Sequence, residues 1–167
     1  MKFRPMEIGA VLLVASLWLG GLVGCGGGPT PEERIAANND TNIKRLASLY
    51  AMFQLKNQYR GPANEAEFKT FIQDQDADRL KLAGIDVSDV DGLFISERDE
   101  QPFKIRYGLN TRVRGPSLAV IFEQTGVDGQ RQVGFTGSAM QEVDSDEYDR
   151  LWNGELDNEP VDDGRGQ

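Results

Sequence analysis

The side chains of this sequence that could carry chemistry are its carboxylates and a single thiol. Among 167 residues there are 27 Asp and Glu, one Cys and no His. The lack of His excludes an imidazole base or metal ligand, and one Cys excludes an internal disulfide framework and a thiolate zinc site. The chemistry left open is carboxylate catalysis, cation binding through oxygen ligands, and modification of Cys25.

Paired carboxylates can hydrolyse a glycosidic bond without His, one acting as the acid and the other as base or nucleophile. The acidic residues considered for this role are Glu123, Asp128, Asp99 and Glu100. No serine lies in a Gly-x-Ser-x-Gly elbow, so serine nucleophiles have less support. Acids in turns and caps usually serve solubility and local hydrogen bonds. We therefore assign no catalytic residue and keep a carboxylate-based hydrolase of envelope glycans as the alternative.

An Asp-rich stretch before Gly92 invites comparison with a calcium loop. If Gly92 is placed at the sixth position of an EF-hand, Asp89 and Asp91 fall third and fifth, as they should. Val87 and Arg98 then occupy the first and twelfth positions, where carboxylates are required. We expect no EF-hand and assign no metal ligand or cofactor, although a looser calcium site stays open.

Basic residues concentrate in one part of this acidic sequence. Lys104 and Arg106 alternate with apolar residues in a predicted strand, so both should lie on its solvent-exposed face. Arg112 and Arg114 lie in the predicted loop that follows. Such a patch could dock an acidic partner or an anionic glycan, or it could be a solvated face balanced by neighbouring acids. The net charge of −9 argues against a nucleic-acid binder.

The N-terminus has the pattern of a targeting segment. Lys2 and Arg4 precede an apolar run over 8–23. A membrane-spanning helix needs about 20 apolar residues, so this run is short for a permanent span and typical of a signal-peptide core. We therefore expect residues 1–24 to be a signal peptide.

The apolar run ends in Leu22-Val23-Gly24-Cys25, which resembles the bacterial lipobox. The resemblance implies cleavage before Cys25 and acylation of its thiol and new amino group. Several acyl chains anchor a protein stably on a bilayer, whereas one does so only marginally. We expect a lipid-anchored protein of the cell membrane or outer membrane that faces the periplasm or exterior. Its net negative charge should hold the domain off anionic headgroups.

The remaining chain divides into tether, domain and tail. Gly and Pro after Cys25 predict a flexible tether over 25–40. Residues 41–154 carry the apolar pattern of a single globular domain. Residues 155–167 hold no aromatic residue and are rich in acids, which predicts a disordered tail.

Helical spacing dominates the first half of the domain. Apolar residues recur at intervals of three and four from Ile43 to Phe53, so a helix should run to about Tyr59, where Gly61-Pro62 follows. Asn64 should cap a second helix, and 76–83 should form a third.

The second half has the pattern of short strands. We expect strands over 93–95, 102–107, 118–122, 133–135 and 140–143, with a hairpin turn at Asp128-Gly129 and a last helix capped by Ser145 or Asp144. The predicted fold is α+β, with N-terminal helices packed on a small antiparallel sheet of three to five strands and a short C-terminal helix.

Three stretches resemble small lipoproteins predicted from planctomycete genomes. They run from Asn42 to Lys69, from Ser96 to Phe103 and from Asp146 to Trp152. This resemblance implies an envelope lipoprotein with no assigned activity, so it supplies no catalytic residue.

The layout is also similar to the periplasmic domain of major pseudopilins of type II secretion. The matching features are Tyr59 to Pro62, Asp99 to Phe103, and Asp128-Gly129. A pseudopilin keeps its apolar N-terminal helix, whereas this chain would lose its apolar segment with the signal peptide. The principal expectation is a non-enzymatic binding or assembly module that engages an envelope protein, with a pseudopilin-like accessory role as a further alternative.

Overall fold

The computed structural model describes residues 30, 31, 34, 39–114, 117–137 and 139–155. The expected signal peptide, the lipobox from Leu22 to Cys25, most of the tether and the tail beyond 155 lie outside the described residues. Within the described ranges, no helix combines the length and apolar character needed to cross a membrane.

Helices come first along the chain and strands follow, which confirms the predicted α+β fold. The first half contains α1 (Asn42–Lys56), α2 (Glu65–Gln73), α3 (Ala77–Leu82), a 3-10 turn (Val87–Asp89) and α4 (Val90–Leu93). The second half contains β1 (Lys104–Ile105), α5 (Thr111–Arg114), β2 (Ala119–Phe122), β3 (Arg131–Phe135), β4 (Met140–Val143) and α6 (Ser145–Asn153).

The strands form a four-stranded sheet in the order β1-β2-β3-β4, and every neighbouring pair is antiparallel. Sequential strands therefore lie side by side, as short connections favour. The second strand lies inside the sheet and all four of its residues are buried, as its apolar sequence predicts. The turn between β2 and β3 has positive φ at both Asp128 and Gly129, which is typical of a tight hairpin.

A β-bulge lets the second strand contribute to both sides of the sheet. The register with β3 shifts between Ala119 and Ile121. A bulge places two successive residues on one face. Val120 and Ile121 thus both pack in the core beneath the helices, while Ala119 and Phe122 pack on the opposite side.

The two faces of the sheet are covered by different helices. On one face, α1 buries Ile43, Leu46 and Tyr50 against β2 and β3. Gly134 allows this close approach, because a Cβ atom there would lie 3.0 Å from Ile43 Cγ1. On the other face, α6 packs Tyr148 against Phe122, with ring centroids 5.3 Å apart.

Side-chain caps fix where several helices begin. Asn64, Asp76 and Asp144 each accept a hydrogen bond from the backbone N–H three residues later. Such a cap satisfies a donor that the first helical turn leaves unpaired. Of the two residues predicted to cap α6, Asp144 is the one that does so.

Three local predictions were wrong. The first helix ends at Lys56 rather than near Tyr59, because the N–H of Asn57 and that of Tyr59 both return to the carbonyl of Gln54. Residues 93–95 form no strand, since the Asp89 side chain caps α4 and leaves only an isolated bridge at Ile95. The predicted loop after 108 contains the short helix α5.

Candidate functional site

A groove of about 390 Å³ lies between the outer side of α1 and the segment from α3 to Ile85. Its lining is mostly apolar, with charged residues among the lining side chains. The apolar lining residues are Leu49, Met52, Leu80, Leu82, Ala83 and Ile85. Clefts with apolar walls and a few polar groups are the usual form of binding sites.

The walls of this groove are set by the packing of α1 and α3. Leu49, Leu80 and Ile85 are held in the core, whereas Met52 is only partly buried and Leu82 is 56% exposed. Met is unbranched and adapts its shape to a bound group. The groove therefore has a fixed floor and two accessible apolar side chains at its surface.

Charged groups of both signs lie around the groove. Lys56 is held by the side chain of Gln75 at 2.7 Å and lies over the Phe71 ring. Asp74, Asp76 and Arg79 also line it.

An adjoining depression, on the far side of α3, is lined by Asp78, Lys81 and Asp86 among others. Hydrogen bonds from the hydroxyl and N–H of Ser88 hold the pKa of Asp86 below its usual range. This carboxylate therefore stays charged at neutral pH and adds negative potential beside the groove.

The most buried carboxylate belongs to Glu123, which directly follows β2 and is 1% exposed. Its oxygens accept hydrogen bonds from the Ser96 hydroxyl at 2.8 Å and from the Gln132 N–H at 2.7 Å. Arg98 lies 3.8 Å away and also pairs with the more exposed Glu142. Buried charges are tolerated when they are paired and hydrogen-bonded in this way.

Asp99 ties the loop before β1 to the hairpin after β2. Its carboxylate accepts hydrogen bonds from the N–H groups of Thr125, Gly126 and Gln101 at 2.8–3.1 Å. Partial burial alone would raise the pKa of Asp99, but these backbone donors outweigh it and hold the pKa below its usual range. The carboxylate therefore acts as a fixed acceptor that shapes the loop.

The four acids considered for hydrolysis do not meet in a cleft. Glu123 is buried in the network just described, Asp99 is occupied by backbone donors, and Glu100 and Asp128 are exposed. The groove is lined by other residues. Among the residues that the structure describes, no group of three or more His, Cys, Asp or Glu is arranged to hold a metal ion.

The structure divides the predicted basic patch into two places. Lys104 and Arg106 do share a face, but that face is covered by α6 and is not the solvated surface that alternation predicted. The Lys104 ammonium lies 4.0 Å from the centroid of the Trp152 ring. Arg106 is buried, and its Nη1 donates to the carbonyls of Ala119 and Leu151.

Arg112 and Arg114 are exposed on α5, where the structure adds residues that the sequence did not suggest. The Arg112 guanidinium lies over the Tyr59 ring, 4.5 Å from its centroid. Arg60 joins them through a backbone bridge to Asn110. These pairings join segments about 50 residues apart, so no local motif could reveal them.

No family model matches the chain, and no match was found among the curated proteins or the solved structures.

Proposed function

We propose that this protein is a lipid-anchored, non-enzymatic binding module of the cell envelope, and that its groove holds a segment of an envelope protein. The observation that carries the proposal is the open apolar groove between α1 and α3, with Met52 and Leu82 accessible at its surface. Burying a few apolar side chains in a preformed groove is a common way to recognise a short segment of a partner.

Charge defines the chemistry of the partner segment. Acids exceed bases only by four to three around the site: Asp74 and Asp76 line the groove with Lys56 and Arg79, and Asp78 and Asp86 lie in the adjoining depression with Lys81. The local excess is small, so the overall charge of the chain supplies most of the negative field. The chain as a whole carries a net charge of −9. Such a field favours a partner segment that combines apolar side chains with basic residues.

The anchor part of the proposal comes from the lipobox resemblance at Cys25. The chain enters the described domain at Asn39, and that residue lines the groove. A tether that joins the domain beside its binding site keeps the site close to other envelope proteins. The local concentration of partners then strengthens a weak contact.

The hydrolase alternative lacks the geometry that would favour it, because Glu123 is buried among structural partners and not in the groove. The pseudopilin-like alternative requires the first helix to lie across a sheet, and α1 does contact β2 and β3 in this way. The two protein-binding roles differ in the identity of the partner, so one experiment addresses both.

The test is site-specific photo-crosslinking in intact cells with the full-length, lipidated protein. A photoreactive amino acid replaces Leu82 at the groove, or Val127 in the hairpin as the matched exposed control. We expect a discrete adduct from position 82 and none from position 127. Mass spectrometry should map the adduct to an apolar and basic segment of an envelope protein. Adducts that are secretion subunits would establish the pseudopilin-like role.

Two further variants complete this experiment. Cys25→Ser removes the anchor and should weaken the adduct by lowering the local concentration of partner. For the second variant, the photoreactive group is moved to position 52 so that Leu82 can be changed. Leu82→Lys should then repel the basic segment and abolish the adduct. Leu82→Ala removes only apolar contact and should reduce the yield of the adduct. Identical adducts from positions 82 and 127, or an adduct with this chain alone, would overturn the proposal.

A further inference from the structure

A second surface, at the opposite end of α1 from the tether, is built from two stretches that lack acidic residues. In a chain with 27 Asp and Glu, none occurs in 54–64 or in 101–122. Backbone hydrogen bonds join these stretches, from Gly61 N to Leu109 O at 2.7 Å and from Thr111 N to Tyr59 O at 3.1 Å. We call the surface they form the arginine face: Tyr59, Arg60, Arg112, Val113 and Arg114.

The backbone at the arginine face is strained. Gln58 and Tyr59 have φ values of 55° and 69°, in the left-handed region that residues other than Gly seldom occupy. This conformation places the Tyr59 ring beneath the Arg112 guanidinium. Strain of this kind concentrates at functional sites, where the surrounding structure holds it in place.

The arginine face combines positive charge with exposed apolar surface. Val113 is 79% exposed between two arginines of one helical turn. Within the described part of the chain, neither Arg60 nor Arg112 has a carboxylate partner. The nearby acids of α2 are engaged elsewhere, Glu65 with the Lys69 ammonium and Glu67 with the N–H of Ala63.

We propose that the arginine face docks the domain on an anionic bilayer surface. Arginines attract anionic headgroups, while Val113 and the Tyr59 ring suit the boundary between headgroups and acyl chains. The inference rests on the lipid anchor proposed above and adds to it an orientation of the domain on the membrane. It differs from the expectation, drawn from net charge, that the domain stands off the membrane, because local charge decides contacts within a Debye length.

The covalent geometry of the tether permits this contact. The chain joins α1 at its N-terminal end, whereas the arginine face lies at its C-terminal end. Helix α1 has 15 residues and is therefore about 22 Å long. Residues 25–38 would span about 45 Å if fully extended. The helical turn from Thr30 to Arg34 shortens this reach to about 35 Å, so Cys25 and the arginine face can still reach the same bilayer.

The experiment uses full-length, lipidated protein reconstituted into vesicles that carry a spin-labelled lipid quencher. Val113→Cys provides a thiol for a fluorophore while Cys25 is acylated. Val127→Cys is the matched control, because the hairpin lies at the opposite end of β2 from α5. We expect strong quenching at position 113 on phosphatidylglycerol vesicles, weak quenching there on phosphatidylcholine, and weak quenching at position 127 on both.

Charge variants test the cause of docking. Replacing Arg60 and Arg112 by Gln should lower the ratio of docked to undocked protein about tenfold or more, from the attraction of each arginine to an anionic surface. Added salt should act in the same direction. Equal quenching on the two lipids, or no quenching at position 113 on either, would overturn the docking proposal. If position 113 shows no quenching on either lipid, the ligand of the arginine face is to be sought among acidic proteins.

Failure of the anchor is measured separately in the same samples. Flotation on phosphatidylcholine vesicles reports the lipid anchor, whereas quenching reports the arginine face. A protein that floats without quenching at position 113 retains its anchor and lacks docking. A protein that fails to float on phosphatidylcholine lacks the anchor, and docking is then measured by its flotation on phosphatidylglycerol alone.

Discussion

The hydroxyl of Tyr50 occupies the space that a side chain at position 61 would need. A Cβ atom at Gly61 would lie 2.0 Å from Tyr50 Oη. The same hydroxyl donates a hydrogen bond to the buried carbonyl of Arg106 at 2.8 Å. Burial raises the pKa of Tyr50 far above its usual range, so the hydroxyl stays protonated and keeps its donor role. One side chain thus joins α1 to the start of the sheet and requires glycine in the loop that passes it.

Gly61→Ala should destabilise the domain by about 2–4 kcal/mol, because the new methyl group displaces the Tyr50 ring and breaks its hydrogen bond. Urea unfolding followed by circular dichroism measures the change. Tyr50→Phe alone should cost about 1 kcal/mol, since the Arg106 carbonyl loses its donor. The double variant should be more stable than the sum of the two losses implies, and strict additivity would contradict the proposed contact.

Glu123→Ala should destabilise the protein by about 3–5 kcal/mol, because it leaves the Ser96 hydroxyl and the Gln132 N–H buried without their acceptor, while Arg98 keeps its pair with Glu142. Glu142→Ala is the control, since its side chain is 53% exposed in the ion pair with Arg98. An exposed ion pair contributes about 0–1 kcal/mol, so this variant should change little. The free energy of unfolding is measured by urea denaturation. Equal losses from the two variants would show that burial of Glu123 does not determine its contribution to stability.

Asp99→Asn should flatten the acid side of the stability profile. The pKa of Asp99 is lower in the folded protein than the unfolded value of about 3.9, so its contribution is complete above that pH. The contribution is lost as the pH falls through the folded pKa. At neutral pH the variant should be less stable by about 1–2 kcal/mol, because a neutral amide accepts the three N–H bonds less well.

The difference between Asp99→Asn and the native protein should therefore shrink towards pH 2. Unfolding free energies measured across this range give the comparison. Asp128→Asn is the matched control, since Asp128 is exposed at the hairpin tip and Asn also tolerates its positive φ. A constant difference between the Asp99 variant and the native protein at all pH values would exclude the carboxylate charge as the cause.

Arg106→Met should loosen α6, because the guanidinium donates to carbonyls on both β2 and α6. A cation at a helix C-terminus also interacts favourably with the helix dipole. We expect a loss of about 2–4 kcal/mol and an early change in Trp152 fluorescence during unfolding. Arg112→Met, on the exposed α5, should stay within about 0.5 kcal/mol of the native protein. Similar effects of the two substitutions would contradict the division of the basic residues described above.

Local sequence was a good guide wherever the physical cause is itself local. The Asn64 and Asp144 caps act over three residues, and the Asp128-Gly129 turn needs only its own two φ angles. The apolar run of β2 predicts a position inside the sheet, because it has no polar face to expose. Each of these predictions depends on chemistry within a few residues, which periodicity and composition can report.

The sequence misled where a distant element changed the environment of a residue. Arg106 alternates with apolar neighbours as an exposed strand residue would, yet α6, some 45 residues later in the chain, covers it. Glu123 resembles any other turn acid in the sequence. In the fold, however, Ser96 and Arg98, which lie 27 and 25 positions earlier in the chain, contact its carboxylate and stabilise the buried charge. The groove and the arginine face arise in the same way, from segments that meet only after folding.

The sequence by itself determined the α+β class, the order of helices and strands, and the exclusion of imidazole chemistry and of an internal disulfide, because these follow from residue types and short-range periodicity. Tertiary structure decided which charges are buried and which are presented. In the folded protein Arg106 is buried, and the bridge between Arg60 and Asn110 places Arg60 near Arg112. The physical reason is that solvation and charge pairing depend on distances in space. Folding and antiparallel pairing bring together residues that are far apart in the sequence, and no local pattern of residues predicts which of them will meet.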